Sequence, residues 1–194
     1  MKVGFAVTLF FISNWTYSQK YDYRWILGAR YETGSHDVGN MDVIFTQNSV
    51  DTIASTRNVF MENSQTTISD SSANLLFYTN GARIYTSTND TMQNGDSINY
   101  GPEWNQYDGE FYPWLNDIMA LPTDSPEIWN MIHYYVDINN NSDIVVYPWR
   151  IKQTQINISK NSGQGEVLFK NKTLIQDTLG TYVTACKHAN GRDW

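Results

Sequence analysis

The segment from residue 100 to residue 114 concentrates side chains that suit carbohydrate binding. Its aromatic residues are Tyr100, Trp104, Tyr107, Phe111, Tyr112 and Trp114. Aromatic side chains offer large, rigid apolar faces, on which sugar rings can stack. The same rings could instead pack a long loop onto the sheets beneath it. Both roles remain open from the sequence, and we take Tyr100, Trp104 and Tyr107 as candidate ligand-binding residues.

A second segment, DINNNSD, places oxygen-bearing side chains at alternate positions. They are Asp137, Asn139, Asn141 and Asp143. A calcium loop of the EF-hand type also needs a glycine at its sixth position and a bidentate glutamate at its twelfth. This sequence has Ser142 and Pro148 there. We therefore interpret the segment as a polar turn between two strands, with a calcium site as the alternative, and we predict no metal or other cofactor.

The last residues of the sequence, HANGRDW, contain a charged pair. Arg192 and Asp193 could bind a ligand at the mouth of a repeat protein, or they could form a salt bridge that fixes a turn. The structural role is favoured, and both residues are kept as candidate ligand-binding residues.

The sequence contains no recognisable catalytic constellation. Carboxylates are scattered, and nothing in their spacing sets two of them at the separation that glycosidases use. The nucleophile elbow, the phosphate-binding loop and the dinucleotide fingerprint are all missing. The three histidines, His36, His133 and His188, lack metal-ligand spacing, and His133 lies in an apolar run typical of a core histidine. No catalytic residue is predicted, so enzymatic activity is uncertain and binding is favoured.

The elements that would position these residues are indicated by a hairpin, NLLFYTNGARIY, at residues 74–85. Asn80-Gly81 predicts a two-residue type I′ turn, which pairs Phe77 with Ile84. One face would then carry Leu75, Phe77, Ala82 and Ile84, and the other would carry Leu76, Tyr78, Tyr85 and the stem of Arg83. A sheet that lies on a solvated surface is polar on one side. This one is apolar on both faces, so we expect it to be sandwiched.

The rest of the chain reads as an all-β protein with little helix, because no segment shows a sustained 3.6-residue period. Strands are predicted at 41–46, 58–61, 65–69, 118–122, 129–138, 143–151, 154–159, 166–170 and 173–178. Residues 86–109 are rich in turn-forming residues and are expected to be a long surface loop.

Two segments, ISDSSANLLFYTN (68–80) and ISKNSGQGEVLFKN (158–171), share a pattern about 90 residues apart. This similarity favours a β-propeller, whose antiparallel four-stranded blades are covered on both faces. Residues 19–194 would hold about two blades and the start of a third. Closed propellers need at least about four blades. The chain is therefore expected to be an N-terminal fragment of an incomplete ring, with a β-sandwich as the alternative.

The first 18 residues have the pattern of a signal peptide, with Lys2 followed by the apolar run 3–12. The apolar run is shorter than the roughly 20 residues that are needed to cross a bilayer, so it is not expected to be a membrane anchor. Cleavage is predicted between Ser18 and Gln19, and no stable membrane span is expected after it. An exported protein with a single cysteine forms no internal disulfide, and Cys186 is expected to be buried. The net charge of −7 and the absence of a Lys/Arg cluster argue against a nucleic-acid partner.

Three segments together, SDSSANLLFYTNG (69–81), IYTSTNDTMQNGDSIN (84–99) and TACKHANGRDW (184–194), resemble secreted β-propeller proteins of Bacteroidota. Members of that family carry WD40-like repeats and usually a C-terminal type IX secretion sorting domain. The resemblance covers most of the chain from about residue 40. It implies a propeller fold and a secreted or cell-surface location, but no particular activity.

The expected function is that of an exported β-propeller module, without catalytic activity, that binds an extracellular glycan or a surface protein. Two alternatives remain open. One is a polysaccharide hydrolase or lyase on a propeller scaffold, and the other is a structural part of a cell-surface or secretion assembly.

Overall fold

The computed structural model describes residues 21–28, 40–46, 48–55, 57, 59–61, 63–112, 118–139, 145–180, 182–186 and 188. The predicted signal peptide, residues 1–18, and its predicted cleavage position between Ser18 and Gln19 lie outside these residues. The described chain is mostly β-strand in antiparallel sheets that do not close into a barrel, which confirms the predicted all-β class and the scarcity of helix. No helix in this part of the chain is long and apolar enough to cross a membrane.

The first sheet contains three strands in the order β1-β2-β3. They are β1 (Arg24–Leu27), β2 (Asn40–Phe45) and β3 (Val50–Ser55). The strand predicted at 41–46 is therefore confirmed as β2. The strand predicted at 58–61 is wrong for its described residues, because Met61 forms only an isolated bridge to Gly28 and Val59 and Phe60 form none.

The middle sheet also contains three strands in the order β4-β5-β6. They are β4 (Thr66–Ser69), β5 (Leu75–Thr79) and β6 (Ile84–Thr86). The turn before β5 is held by the Asp70 carboxylate, which accepts hydrogen bonds from the backbone N–H groups of Ser72 and Asn74. Short side chains of this kind commonly stabilise turns in this way.

The hairpin turn between β5 and β6 differs from the prediction. It spans four residues, 80–83, so Tyr78 pairs with Tyr85 and Phe77 pairs with Thr86. The Asn80 side-chain oxygen accepts the backbone N–H groups of Ala82 and Arg83, and this bonding favours the longer loop. The predicted type I′ turn and its pairing of Phe77 with Ile84 are therefore wrong.

The two apolar faces of the hairpin are nevertheless present, because the register changed by an even number of positions. Phe77 and Ile84 share one face and are fully buried, whereas Tyr78 and Tyr85 are buried on the other. The two leucines are exchanged relative to the prediction. A β-bulge opposite Ile68 and Ser69 turns Leu75 toward the tyrosines and Leu76 toward Phe77.

The third sheet contains four strands in the order β10-β9-β8-β7. They are β7 (Ile118–Pro122), β8 (Ile128–Asn139), β9 (Val145–Asn157) and β10 (Glu166–Gln176). Four predicted segments merge into two strands, since 143–151 and 154–159 form β9 and 166–170 and 173–178 form β10. Pro148 lies inside β9 beside a bulge, where a missing N–H is tolerated.

Strand β10 has an irregular ladder. Its pairing with β9 shifts register at three places, and β9 is its only strand partner among the residues that the structure describes. Leu174 and Ile175 near its end are about half exposed.

Two apolar clusters hold the sheets together, one on each face of the middle sheet. One joins Phe77 and Ile84 to Trp129 and Met131 of the four-stranded sheet, and the other joins Tyr78 to Ile26 of the first sheet. The sandwiched position predicted for the hairpin is therefore observed. The first strands contact one another in series, β1 with β4 and β4 with β7.

Residues 86–109 are not simply a surface loop, contrary to the prediction. Met92 and Ile98 are 2% and 0% exposed and complete the cluster between the middle and four-stranded sheets. A short helix, α1 (Pro102–Gln106), follows them. The segment thus contributes core residues as well as exposed ones.

A buried ionic group joins the first sheet to the middle one. Asp42 on β2 is 1% exposed, and its carboxylate accepts hydrogen bonds from both Arg24 and Arg57. Arg57 also donates from Nε to Asn89 over 2.7 Å, and Tyr78 donates to the same Asn89 oxygen. Burial acts to raise the pKa of Asp42, but the hydrogen bonds from Arg57 and Arg24 outweigh it and lower the pKa.

We expect Asp42→Asn to destabilise the fold by about 3–5 kcal/mol, because it leaves the buried Arg57 and the half-buried Arg24 without their counter-charge. The exposed Asp51→Asn on the neighbouring strand should change the free energy of unfolding by less than about 0.5 kcal/mol. Urea unfolding of the two variants measures the difference. Equal losses would show that the buried group contributes no more than a surface carboxylate.

Candidate ligand-binding site

Residues 99–112 carry the predicted ligand-binding aromatic residues and are named here the aromatic loop. Buried residues attach this loop to the sheets on which it lies. Tyr112 is fully buried, and its phenol oxygen accepts the backbone N–H of Val136 over 2.9 Å. The Asn80 side-chain amide donates to the carbonyl of Glu110 over 2.6 Å, and Glu103 of α1 is 1% exposed. The loop is therefore tied to both the middle and the four-stranded sheet.

Trp104 is half-buried and fixed on three sides. Its indole N–H donates to the carbonyl of Ala82 over 3.3 Å, and the Arg83 guanidinium lies 5.8 Å from the ring centroid. Gly109, at φ 64°, brings its backbone against the ring, and a Cβ added there would overlap the indole. Arg83 is itself held by Asp96 over 2.8 Å. These contacts set the ring in one orientation.

Tyr100 is the most accessible of the described rings of the loop, with 57% of its surface exposed. Its ring lies 5.4 Å from that of Trp104 at an angle of 52°. Tyr107 and Phe111 are half-buried, and Phe111 packs between Tyr107 and Phe60. The sequence left open whether these rings stack on a sugar or pack the loop onto the sheets. In the structure Tyr107, Phe111 and Tyr112 pack the loop, whereas Tyr100 faces solvent. Trp114 lies outside the described residues.

A buried polar network fixes the point at which Tyr100 leaves the core. Asn99 is 1% exposed, and its side-chain oxygen lies 2.9 Å from His133 Nδ1, which donates to it. The other ring nitrogen of His133 accepts from the Thr154 hydroxyl over 2.9 Å. The Asn171 side-chain oxygen accepts the backbone N–H of Asn99 over 2.9 Å. These bonds hold the residue that directly precedes Tyr100.

His133 is therefore a core histidine with both nitrogens satisfied, as interpreted from the sequence. Complete burial, together with the nearby charge of Lys152, lowers its pKa to about 3. The ring is neutral at physiological pH and is not placed to act as a metal ligand.

Sequence reasoning missed a pair of cations beside the aromatic loop. Arg150 and Lys152 lie two residues apart on β9, and both approach the ring of Tyr135. Burial, together with the charge of Arg150, lowers the pKa of Lys152 to about 8. The sequence does show two basic residues at alternate positions, 150 and 152. That both approach the ring of Tyr135 could be recognised only once the pairing of β9 with β8 was known.

A groove in the surface was also missed by sequence reasoning. An open groove of about 470 Å³ lies where β1, β4 and β7 meet, with Tyr21, Trp25, Gln65 and Ala120 along its walls. Among its described lining residues Asp22 carries the only charge. Its uncharged polar lining residues include Gln65, Thr66 and Thr67.

The remaining predicted site residues are not brought to the aromatic loop by anything the structure describes. Arg192, Asp193, Asn141 and Asp143 lie outside the described residues, and for Asp137 and Asn139 only the strand backbone is described. Within the described chain, no group of three or more His, Cys, Asp or Glu side chains could hold a metal ion. Cys186 is exposed, so its predicted burial is wrong.

Comparison with known proteins identifies no relative of this chain. No family model matches it, and neither a curated protein nor a solved structure does.

We expect His133 to make folding stability depend on acidity. Its pKa is about 3 in the folded chain and near 6.5 when unfolded, so below pH 6.5 only the unfolded chain takes up the proton. The contribution is complete above pH 6.5 and is lost as the pH falls, at up to about 1.4 kcal/mol per pH unit. The free energy of unfolding, measured in urea, should decrease between pH 6.5 and about 4, and it should decrease more steeply for the natural chain than for His133→Gln. Parallel curves would contradict a neutral buried ring.

We expect Gly109→Ala to displace the Trp104 ring and to lower stability by about 1–3 kcal/mol beyond the cost of its backbone conformation. Gly163→Ala is the matched control, because Gly163 also has a positive φ, 86°, and has no atom within 4 Å of an added Cβ. Urea unfolding and near-ultraviolet circular dichroism of both variants measure the difference. Identical losses would show that Trp104 does not rest on Gly109.

Proposed function

We propose that this chain is part of an exported β-propeller that binds an extracellular glycan through its aromatic loop without catalysing a reaction on it. The observation that carries the proposal is the exposed ring of Tyr100 on a loop whose other aromatic residues are packed and fixed. Export and a secreted or cell-surface location are supported by the sequence of residues 1–18 and by the resemblance to secreted Bacteroidota propellers with type IX sorting domains.

The arrangement of the sheets supports a propeller over a β-sandwich. In a sandwich each sheet buries one face in a single shared core. Here the middle sheet buries both faces, with Phe77 on one side and Tyr78 on the other. The three sheets are consecutive in the chain, and their first strands follow one another in contact, as blades do around an axis.

The geometry of the loop supports binding of a sugar. Tyr100 presents a ring face to solvent, and Trp104 beside it is held by Ala82, Arg83 and Gly109 before any ligand arrives. A site organised in advance loses less conformational freedom on binding. Exposed carboxylates at Asp108 and Glu110 stand on the same loop and can accept hydrogen bonds from sugar hydroxyls.

Binding is favoured over hydrolysis because the most accessible feature described on the loop is the ring of Tyr100, which can stack on a sugar but cannot transfer a proton in hydrolysis. Glu103, the acidic residue of α1, is 1% exposed and is directed into the protein. A hydrolase or lyase and a purely structural surface component remain the alternatives that the experiment below separates.

We expect Tyr100→Ala to weaken binding of a retained polysaccharide about tenfold, the equivalent of 1.4 kcal/mol, through loss of stacking. Thermal stability should not change, because the side chain is largely exposed. Tyr182→Ala removes another exposed tyrosine, 84% accessible, and serves as the control. Affinity electrophoresis against a panel of polysaccharides, followed by calorimetric titration with those retained, measures both variants.

The same panel distinguishes the alternatives. Retention without release of smaller saccharides supports the proposal, and release of product would replace it with a hydrolase or lyase. Failure to retain any member of the panel would contradict glycan binding and favour a protein partner or a structural role.

A further inference from the structure

We propose that the glycan is polyanionic and that Arg150 and Lys152 bind its carboxylate or sulfate groups beside Tyr100. This inference rests on the proposed function and names the chemical class of ligand that the site recognises.

The two cations form one cluster on the inner face of the four-stranded sheet. Residues two apart in a strand point to the same side, so Arg150 and Lys152 share that face. Tyr135 on the neighbouring strand β8 pairs directly with Arg150. Its ring centroid lies 5.3 Å from the Arg150 guanidinium carbon and 3.8 Å from Lys152 Nζ. One aromatic ring thus holds both positive groups.

Among the side chains that the structure describes, no carboxylate forms an ion pair with either cation of this cluster. Lys152 is 6% exposed, yet its amine forms no ion pair or hydrogen bond with any of them. Arg150 donates only to the neutral side-chain oxygen of Gln176, over 3.3 Å. The other three described arginines are all paired with aspartate, Arg24 and Arg57 with Asp42 and Arg83 with Asp96. Arg150 is thus the one described arginine without an ion pair to an aspartate or glutamate that the structure describes.

Two cations held close together repel each other, and burial weakens the solvation that would offset this. An anionic group placed between them removes the repulsion and supplies the missing hydrogen-bond acceptors. The planar guanidinium matches the geometry of a carboxylate or sulfate, and the ammonium adds a point charge. Because Tyr135 already orders both side chains, binding costs less conformational freedom.

The cluster adjoins the aromatic loop through Tyr135. Gly101 lies so close to the Tyr135 phenol oxygen that an added Cβ would overlap it. The φ of Gly101 is extended, so it is this close approach that calls for a glycine. Tyr100 directly precedes Gly101. We therefore expect a sugar stacked on Tyr100 to place an acidic substituent, its own or that of the next sugar, at the cation pair.

The test compares matched charged and neutral polysaccharides on the full chain. Calorimetric titrations use polygalacturonate against its methyl-esterified form and dextran sulfate against dextran, so that carboxylate and sulfate are examined separately. We expect at least one charged member to bind at least tenfold more tightly than its neutral partner. We also expect this preference to decrease as sodium chloride is added.

The variants Arg150→Gln and Lys152→Gln should each remove most of that preference. Lys172→Gln, an exposed lysine on the adjacent strand β10, alters the net charge equally and should leave the preference unchanged. Circular dichroism and urea unfolding confirm that each variant is folded. Arg150 is half-exposed, so its variant keeps the test decisive if replacement of the buried Lys152 prevents folding.

The outcomes separate the two proposals. A preference that survives both cation substitutions, or equal binding of charged and neutral members that is lost in Tyr100→Ala, overturns the cation site and leaves glycan binding intact. Binding of none of the four polysaccharides, together with no retention in the wider panel, overturns the proposed function itself.

Discussion

The fold depends on the middle sheet, because both of its faces carry apolar side chains that must be buried. Strands β4 to β6 place Phe77 and Ile84 on one side and Tyr78 and Tyr85 on the other, all buried. Apolar surface gains about 25 cal/mol for each Å² removed from water, so both faces must be covered. The first and four-stranded sheets provide that cover. Their docking brings β1, β4 and β7 together, and the chain after β6 places Met92 and Ile98 in the core before it forms the aromatic loop.

Polar residues at the two interfaces add specificity to this apolar packing. Asp42 and its arginines stand between the first and middle sheets, and His133 with Asn99 stands between the aromatic loop and the four-stranded sheet. Buried polar groups are costly unless each finds its partner, so such groups accept few alternative arrangements. Between the aromatic loop and the four-stranded sheet, these hydrogen bonds fix the position of Asn99 and therefore the backbone position of Tyr100, the next residue along the chain. The rigidity of the candidate site is thus a property of the core beneath it.

Alternation along the hairpin was enough to predict which side chains of β5 and β6 share a face, since that depends only on parity. The register was missed because the Asn80 side chain supports a four-residue loop, and the two leucines were exchanged by a bulge that leaves no mark in composition. Met92 and Ile98 were missed because an irregular segment has no period to detect. Residue type alone singled out the aromatic segment but not which of its rings are exposed, whereas Arg150 and Lys152 became visible as a pair only once β9 was aligned with Tyr135.

The irregular ladder of β10 has a consequence for how copies of this chain meet one another. A straight edge strand is a template on which further strands add, and long regular edges lead to aggregation. Three shifts of register within eleven residues leave no long run of evenly spaced donors and acceptors along β10. The residues around 93–97 also bond to the first half of β10, so the addition of a further strand along this edge is disfavoured.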